Sequence, residues 1–292
     1  MSDLIDTISP TERPLSSMLK KSKCSARFFE WQTDALNTAA NNAQIEGDDV
    51  TTFTAVTPTT RWGNYTQIST KNFIISDTEE IVDKAGRARE IAYQKVKKTK
   101  EILNDVEVGL CQNTTFNAGA LGTARQTRGL AGWITQGSVG AGVGAFPNPL
   151  TNTAPVAGTA RVFDEVMLKD AQQKAWTAGG YPGVLLVRGV DKQKASAFTG
   201  NATRFQKVEA NKLQAAYDIY VGDFGEIKIV ASRFLDSAAY LIDVDHVSMK
   251  TLRPLESKPL AKTGDAEKML MTMEWGLCMD NKDAHAVIRD LS

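Results

Sequence analysis

Side chains able to move protons, attack carbonyls or hold metals are few and scattered in this 292-residue chain. The three cysteines, Cys24, Cys111 and Cys278, lie far apart, and no CxxC occurs. Neither a zinc site nor a disulfide framework is expected from that spacing. They read as small apolar thiols kept reduced in a cytosol. His246 continues the apolar alternation of Tyr240, Ile242 and Val244 and reads as a partly buried structural histidine. His285 stands between Ala284 and Ala286, with no cysteine or carboxylate at metal-ligand spacing. Ser138 and Ser248 lack the GxSxG elbow of a nucleophile. Gly140-Ala141-Gly142-Val143-Gly144-Ala145 satisfies a relaxed GxGxx(G/A), but no clear strand precedes it. Phe146-Pro147-Asn148-Pro149 after it cannot open a helix, so it reads as a flexible loop and not as a dinucleotide site. Glu46-Gly47-Asp48-Asp49 lacks the EF-hand spacing and reads as an exposed acidic tip. Lys95, Lys97, Lys98 and Lys100 could touch phosphates, although a solvated helix face is the favoured reading. No catalytic, cofactor-binding or metal-binding residue is assigned.

Composition narrows the class further. Hydrophobic residues make up 42% of the chain, enough for one or two cores. Lys plus Arg and Asp plus Glu both number 34, so the net charge is zero. Whole-chain charge therefore gives no sign of a nucleic-acid or anionic-membrane binder, and local basic patches are left open. Met1-Ser2-Asp3-Leu4-Ile5-Asp6 has neither a basic nor an apolar signal-peptide region. No run approaches the ~18 apolar residues of a membrane span. A protein that stays in a cytoplasm, or leaves it by a route other than secretion, is expected.

The elements are legible in outline. Residues 1–27 carry Pro10, Pro14 and a small basic cluster, Lys20, Lys21, Lys23 and Arg27. They read as an arm with one short helix around Leu15 to Leu19. Residues 28–75 form a long polar ribbon with strand-like pieces at Phe28–Trp31 and Asn72–Ile75 and a Thr-rich, β-prone stretch at Thr51–Thr57. An isolated ribbon is marginal in water, so its aromatics Trp31, Trp62 and Tyr65 are expected to be exposed and to need a partner surface; the alternative, which a typical enzyme would favour, is a hairpin folded back onto its own domain. A continuous helix is expected from Asp77 to Gln112. Its stripe runs Ile81, Ala85, Ala88, Ala92, Val96, Thr99, Leu103, Val106, Leu110. At 1.5 Å per residue it would span roughly 54 Å. Ser76 and Glu79 supply a capping box at its start.

Residues 109–160 read as a long irregular connection with short strands such as Gly132-Trp133-Ile134. An α/β segment follows. A helix covers Arg161 to Ala178 with Val162, Phe163, Val166, Met167, Ala171 and Ala175 on its apolar face, and Gly179-Gly180 ends it. Val184–Val187 is a buried strand, Asp191 caps a short helix closing at Gly200, 201–216 is loop-like, and Ile227 and Ile229 belong to a strand. At the C-terminal end Met269, Met271, Met273, Trp275, Leu277 and Met279 occupy every second position, the cleanest period-two pattern in the chain.

The order of parts, arm, extended loop, long helix, α/β middle and returning β layer, resembles the major capsid proteins of tailed bacteriophages, with their α+β, HK97-type fold. Several stretches resemble one branch of phage major head proteins more specifically: Gly63-Asn64-Tyr65-Thr66-Gln67-Ile68, Trp176-Thr177-Ala178-Gly179-Gly180 and Asp223-Phe224-Gly225-Glu226-Ile227-Lys228-Ile229-Val230. Leu252-Arg253-Pro254-Leu255, the stretch from Leu260 to Lys268, and Asn281-Lys282-Asp283-Ala284-His285-Ala286-Val287-Ile288 do so too. None is a catalytic motif. The resemblance covers nearly the whole chain and is least specific over 115–160.

The resemblance implies residues 1–27 as N-terminal arm and 28–75 as an extended E-loop lying over a neighbouring subunit. Residues 76–159 would be the peripheral domain with its spine helix, 160–240 the axial domain, and 241–292 a return to the peripheral sheet. It implies a structural protein, not an enzyme, that needs no cofactor. Such a protein self-assembles through hexamers and pentamers into an icosahedral head enclosing double-stranded DNA, held non-specifically, in a virion assembled in the host bacterial cytoplasm. Portal and separate scaffolding or decoration proteins would be partners; a membrane would not. Because aromatics and arginine dominate interface energetics, Trp31, Arg61, Trp62 and Tyr65 are the expected assembly-interface residues. An encapsulin-type compartment of the same fold and an enzyme with an unrecognised site are the alternatives.

Overall fold

The computed structural model describes residues 12–47, 49, 52–82, 89–198 and 219–292. In chain order the elements are α1 (Pro14–Met18), β1 (Lys20–Lys23), β2 (Phe28–Thr33), β3 (Thr60–Tyr65), β4 (Gln67–Ser76), α2 (Asp77–Ile81), α3 (Glu90–Gln112), α4 (Leu130–Trp133) and β5 (Gly137–Ser138). Then come α5 (Glu165–Thr177), β6 (Val184–Val187), α6 (Gly189–Ala195), β7 (Ile219–Gly222), β8 (Gly225–Ala231), β9 (Ala238–Ile242), β10 (Val247–Pro259), β11 (Ala266–Met279) and β12 (Ala286–Arg289).

The period-two run becomes β11, the centre of a four-stranded sheet ordered β1-β10-β11-β4. All six alternating residues from Met269 to Met279 are buried. β10 and β4 flank β11 antiparallel, and β1 of the arm adds in parallel along β10. Helix α3 packs on this sheet through Ile102, Val106 and Leu110, which share one core with Met273, Trp275 and Leu277. A Cβ on Gly109 would lie 2.8 Å from the Trp275 ring, so the absent side chain lets the helix approach the strand.

A six-stranded sheet, ordered β5-β12-β9-β6-β8-β7, builds the second core. Leu168, Ala171 and Ala175 of α5 bury against Leu185, Val187, Ile227, Ile229 and Ile288. Helix α5 stops where expected. Gly179 takes φ +89°, and the amides of Gly179 and Gly180 donate to the carbonyls of Trp176 and Ala175.

Several expectations are corrected. The helix from Asp77 is not continuous: α2 ends at Ile81, and Val82 is extended. Ile81 and Val82 are both exposed, so this turn has no core to hold it, and two β-branched residues weaken it further. Residues 83–88 of the expected stripe lie outside the described residues. The capping box holds in part, with Ser76 Oγ accepting from the Glu79 amide at 3.2 Å. Helix α3 has 23 residues and spans roughly 34 Å. Glu80 of α2 accepts from the Ile91 amide at 3.0 Å, a carboxylate at its N-terminus.

Gly132-Trp133-Ile134 is not a strand. Gly132 and Trp133 close the short helix α4, and the whole segment 129–134 is buried. Helix α5 begins only after Asp164, and Val162 and Val166 are exposed. Asp191 does not cap α6; it lies buried in its first turn, 2.7 Å from Arg188 Nε. His246 is exposed, because the alternation stops at Ile242 and the chain turns through a short 3-10 helix, Val244–His246. Strand 28–33 pairs with 60–65, while 72–75 belongs to β4 against β11. The described part of 51–57 forms no strand. The segment 241–292 divides: β10 and β11 enter the four-stranded sheet, but β12 returns to the six-stranded one. Gly200 and 201–216 lie outside the described residues.

Candidate assembly interface

The ribbon is built on β2 and β3, where Trp31 opposes Trp62 across the strands. Both indoles rest on Trp133, which the α4 turn places in the core; the ring centroids lie 5.3 and 6.1 Å away. The Trp62 Nε1–H donates to Thr33 Oγ1 at 2.8 Å. Beneath them the Arg128 guanidinium sits 4.5 Å from the Trp133 ring centroid and 4.8 Å from that of Phe116. Burial pulls its pKa down to about 10, so it remains a cation at neutral pH. The ring faces, together with the Pro149 carbonyl and Asn152 Oδ1, receive that charge. Tyr65 closes the row, 5.4 Å from Phe116 and 4.6 Å from Phe28.

Polar contacts fix the same base. Asn64 is fully buried. Its Nδ2 reaches the Leu277 carbonyl at 2.7 Å and the Arg128 carbonyl at 3.0 Å, and its Oδ1 accepts from the Arg128 amide at 3.0 Å. The buried Glu274 carboxylate accepts from Thr66 Oγ1, Arg125 and Arg253 Nε. Gly276 leaves room for the ribbon to cross β11, since a Cβ there would meet the Phe29 ring at 2.7 Å. The root of the ribbon is thus bound to its own body.

The tip is not. Every described residue from 34 to 59 is exposed, and none is in a strand or helix. Four apolar side chains stand in water there: Leu36 at 99% exposure, Ile45 at 79%, Phe53 at 84% and Val56 at 94%. Nothing in the described part of the subunit covers them.

The residues singled out from sequence separate accordingly. Trp31, Trp62 and Tyr65 are half-buried, not exposed, because Trp133 and Phe116 from a distant stretch supply the surface they need. Arg61 is exposed and paired with Glu30 across the strands. Sequence reasoning passed over the four tip residues, which are isolated in a polar stretch and follow no period. Their one signal was being apolar where nothing nearby could bury them.

A family model described as SU10 major capsid protein matches residues 1–292. The chain belongs to the SU10 major capsid protein family. The major capsid protein of Escherichia phage Phieco32 is 28% identical, the match covering 97% of this chain and 91% of that one. A chain of the Cyanophage A-1(L) capsid asymmetric unit superimposes with a TM-score of 0.67 at 14% identity, covering 100% of this chain and 96% of that one. The SrpI encapsulin of Synechococcus elongatus PCC 7942 gives a TM-score of 0.56 at 10% identity, covering 99% and 93%. At such identities the structural likenesses establish the HK97-type α+β fold and nothing more.

In this phage capsid subunit His285, Cys111 and Cys278 are buried. His285 is buried, its Nδ1 accepts from the Asp243 amide at 3.1 Å, and burial lowers its pKa to about 4. It is neutral at physiological pH. Burial raises the Cys111 thiol well above its usual range and Cys278 to about 12, so both stay protonated and unreactive. Gly140 of the glycine-rich loop donates its amide to Asp290 Oδ2 at 2.8 Å, which ties the loop to the body. Among the described residues no three His, Cys, Asp or Glu side chains gather to hold a metal, and no helix is long and apolar enough to cross a membrane.

Proposed function

We propose that this subunit builds an icosahedral phage head around double-stranded DNA, and that its ribbon completes its packing on a neighbouring copy. The observation that carries the reading is the ribbon itself: a root locked by Trp133 and Asn64, and a tip with Leu36, Ile45, Phe53 and Val56 in water. A single copy offers these side chains no surface, whereas head-to-tail contacts that close into rings offer one to each. A standard interface buries about 800 Å² per partner, so several modest contacts per subunit hold a shell together.

In this reading residues 28–66 act as the extended loop, α3 as the spine helix, and the six-stranded sheet with α5 and α6 as the axial domain at hexamer and pentamer centres. Arg61 and the outer edges of Trp31, Trp62 and Tyr65 border the contact that the tip makes. The role is mechanical and not catalytic. Assembly in the host bacterial cytoplasm would bring in a portal and separate scaffolding or decoration proteins. The full-length match to a phage capsid family favours a phage head over an encapsulin-type compartment.

Replacing residues 34–59 with a short glycine-rich turn tests the proposal. The variant should remain folded, because β2, β3 and their anchors are untouched, yet electron microscopy should find no shells. Normal shells from that variant would overturn it.

A further inference from the structure

From Gly109 to Ala160 the chain carries two charged residues, Arg125 and Arg128, whereas 23% of the whole chain is charged. Both are spent inside the subunit. Arg125 is paired with the buried Glu274 carboxylate, and Arg128 lies buried against the rings of Phe116 and Trp133. The stretch contains two hairpins. In the first, Asn117 and Gln126 exchange backbone hydrogen bonds, as do Ala120 and Thr123, and Leu121 stands in the turn. In the second, Ala145 pairs in the same way with Val156 and Asn148 with Thr153, with Leu150 in the turn. Asn152 joins the two: its Oδ1 accepts from the Phe116 amide at 3.0 Å, and its Nδ2 donates to the Phe116 carbonyl at 2.9 Å. Both hairpins are thus fixed before any partner arrives, so little ordering is left to be done on association. Their outer residues are uncharged and partly apolar. Leu121 is fully exposed, Leu150 is 71% exposed, and Val143, in the loop before the second hairpin, is 80% exposed.

We propose that the hairpin surface carrying Leu121 and Leu150 meets the same surface of other copies about a rotation axis of the shell. The inference rests on the reading that the subunit assembles into a shell. It names a contact separate from the ribbon tip, whose stretch carries the charges of Asp34, Glu46 and Asp49. The missing charge identifies the occupant. Near a rotation axis a residue lies beside its own copy, so any charge there meets its like. Like charges brought together in this way oppose association. A surface without charges escapes that repulsion and leaves its apolar side chains to meet one another, in keeping with the depletion of charge at interface centres. A different protein could answer charges here with opposite ones, and so gives no reason for their absence.

Two variants of the full chain test the contact by charge: Leu121→Asp/Leu150→Asp and Leu121→Lys/Leu150→Lys. Both positions are exposed, so each variant should unfold in urea at the midpoint of the unaltered subunit. Alone, each should give about tenfold fewer shells by electron microscopy, because like charges then face one another. Mixed in equal parts before assembly, the two should restore shells to at least about a third of the normal yield, because acidic copies then meet basic ones. Leu121→Asp with Leu121→Lys repeats the comparison at the fully exposed turn residue alone if a double variant folds poorly. Normal shell yield from either charged variant alone overturns the inference, since the hairpins would then stand in water or against a different protein. So does a mixture that assembles as poorly as its components, since the surface would then face something other than itself. The unaltered protein is read separately: its failure to form shells would count against the capsid function, whereas shells from unaltered and charged proteins alike would remove only this contact.

Discussion

The Trp31 ring, on the ribbon, lies 5.3 Å from the Trp133 ring in the core, although the two are far apart in the chain. That contact sets where the ribbon leaves the body. The root is thus packed on its own body, and the contact proposed with a neighbour falls to the tip. Truncating the buried partner, Trp133→Ala, removes the support of Trp31, Trp62 and Arg128 together. A loss of about 3–5 kcal/mol in folding stability is expected, as for other buried aromatic truncations. Urea unfolding of the unassembled subunit measures it, and a loss below 1 kcal/mol would contradict the anchoring role.

The tip should behave in the opposite way. Phe53→Ser with Val56→Ser changes side chains that are 84% and 94% exposed in the subunit. Subunit stability should shift by no more than about 0.5 kcal/mol, while shell yield by light scattering falls at least tenfold. Equal shell yield would mean that these side chains stay in water after assembly.

Acid should weaken the fold through His285. Its pKa is about 4 in the folded subunit, against an ordinary value of 6.5, because it is buried. The nearby carboxylates of Asp243 and Asp283 and the backbone of His246 oppose the shift without cancelling it. Above 6.5 both states are neutral at this ring and stability is at its full value. Between 6.5 and about 4 only the unfolded chain takes up the proton, so stability falls with falling pH. Below about 4 the loss is complete, at about 3 kcal/mol. In a comparison of unfolding at pH 7.5 and pH 4.5, His285→Gln should lack this part of the slope. A variant with the same pH dependence as the unaltered subunit would refute the assignment.

One buried carboxylate helps the β1–β10 pairing to hold the arm. Glu107 accepts from the amides of Leu15 and Ser16, each at 2.8 Å, at the start of α1. Hydrogen bonds to a charged acceptor are worth roughly 1.5–3 kcal/mol each, and a neutral amide oxygen keeps only part of that. Glu107→Gln should free the arm more often without unfolding the core. Limited trypsin digestion at Lys20 and Lys21 should then run about tenfold faster, and an unchanged rate would show that β1 alone holds the arm.

Part of the molecule could be read directly from residue order. The alternation from Met269 to Met279 specified β11 because a strand presents every second residue to one face. Gly179 marked the end of α5 because its left-handed conformation suits a residue without a Cβ. The ribbon was visible as a long polar stretch, and the succession of parts carried the resemblance to phage capsid proteins.

Other features depended on contacts between distant segments. The apolar spacing through 77–112 suited one helix, yet spacing cannot reveal that Ile81 and Val82 have nothing above them to pack against. The aromatics of the ribbon root looked exposed until Trp133 and Phe116 arrived beside them from another stretch. The buried Glu274 carboxylate gained its partners only when the fold brought Arg125 and Arg253 to it from two other segments. Local order determines periodicity, turns and caps, because these depend on neighbours along the chain. Which apolar side chain finds cover, and which charge finds a partner, was decided by tertiary packing, because the groups that answer those needs lie elsewhere in the sequence.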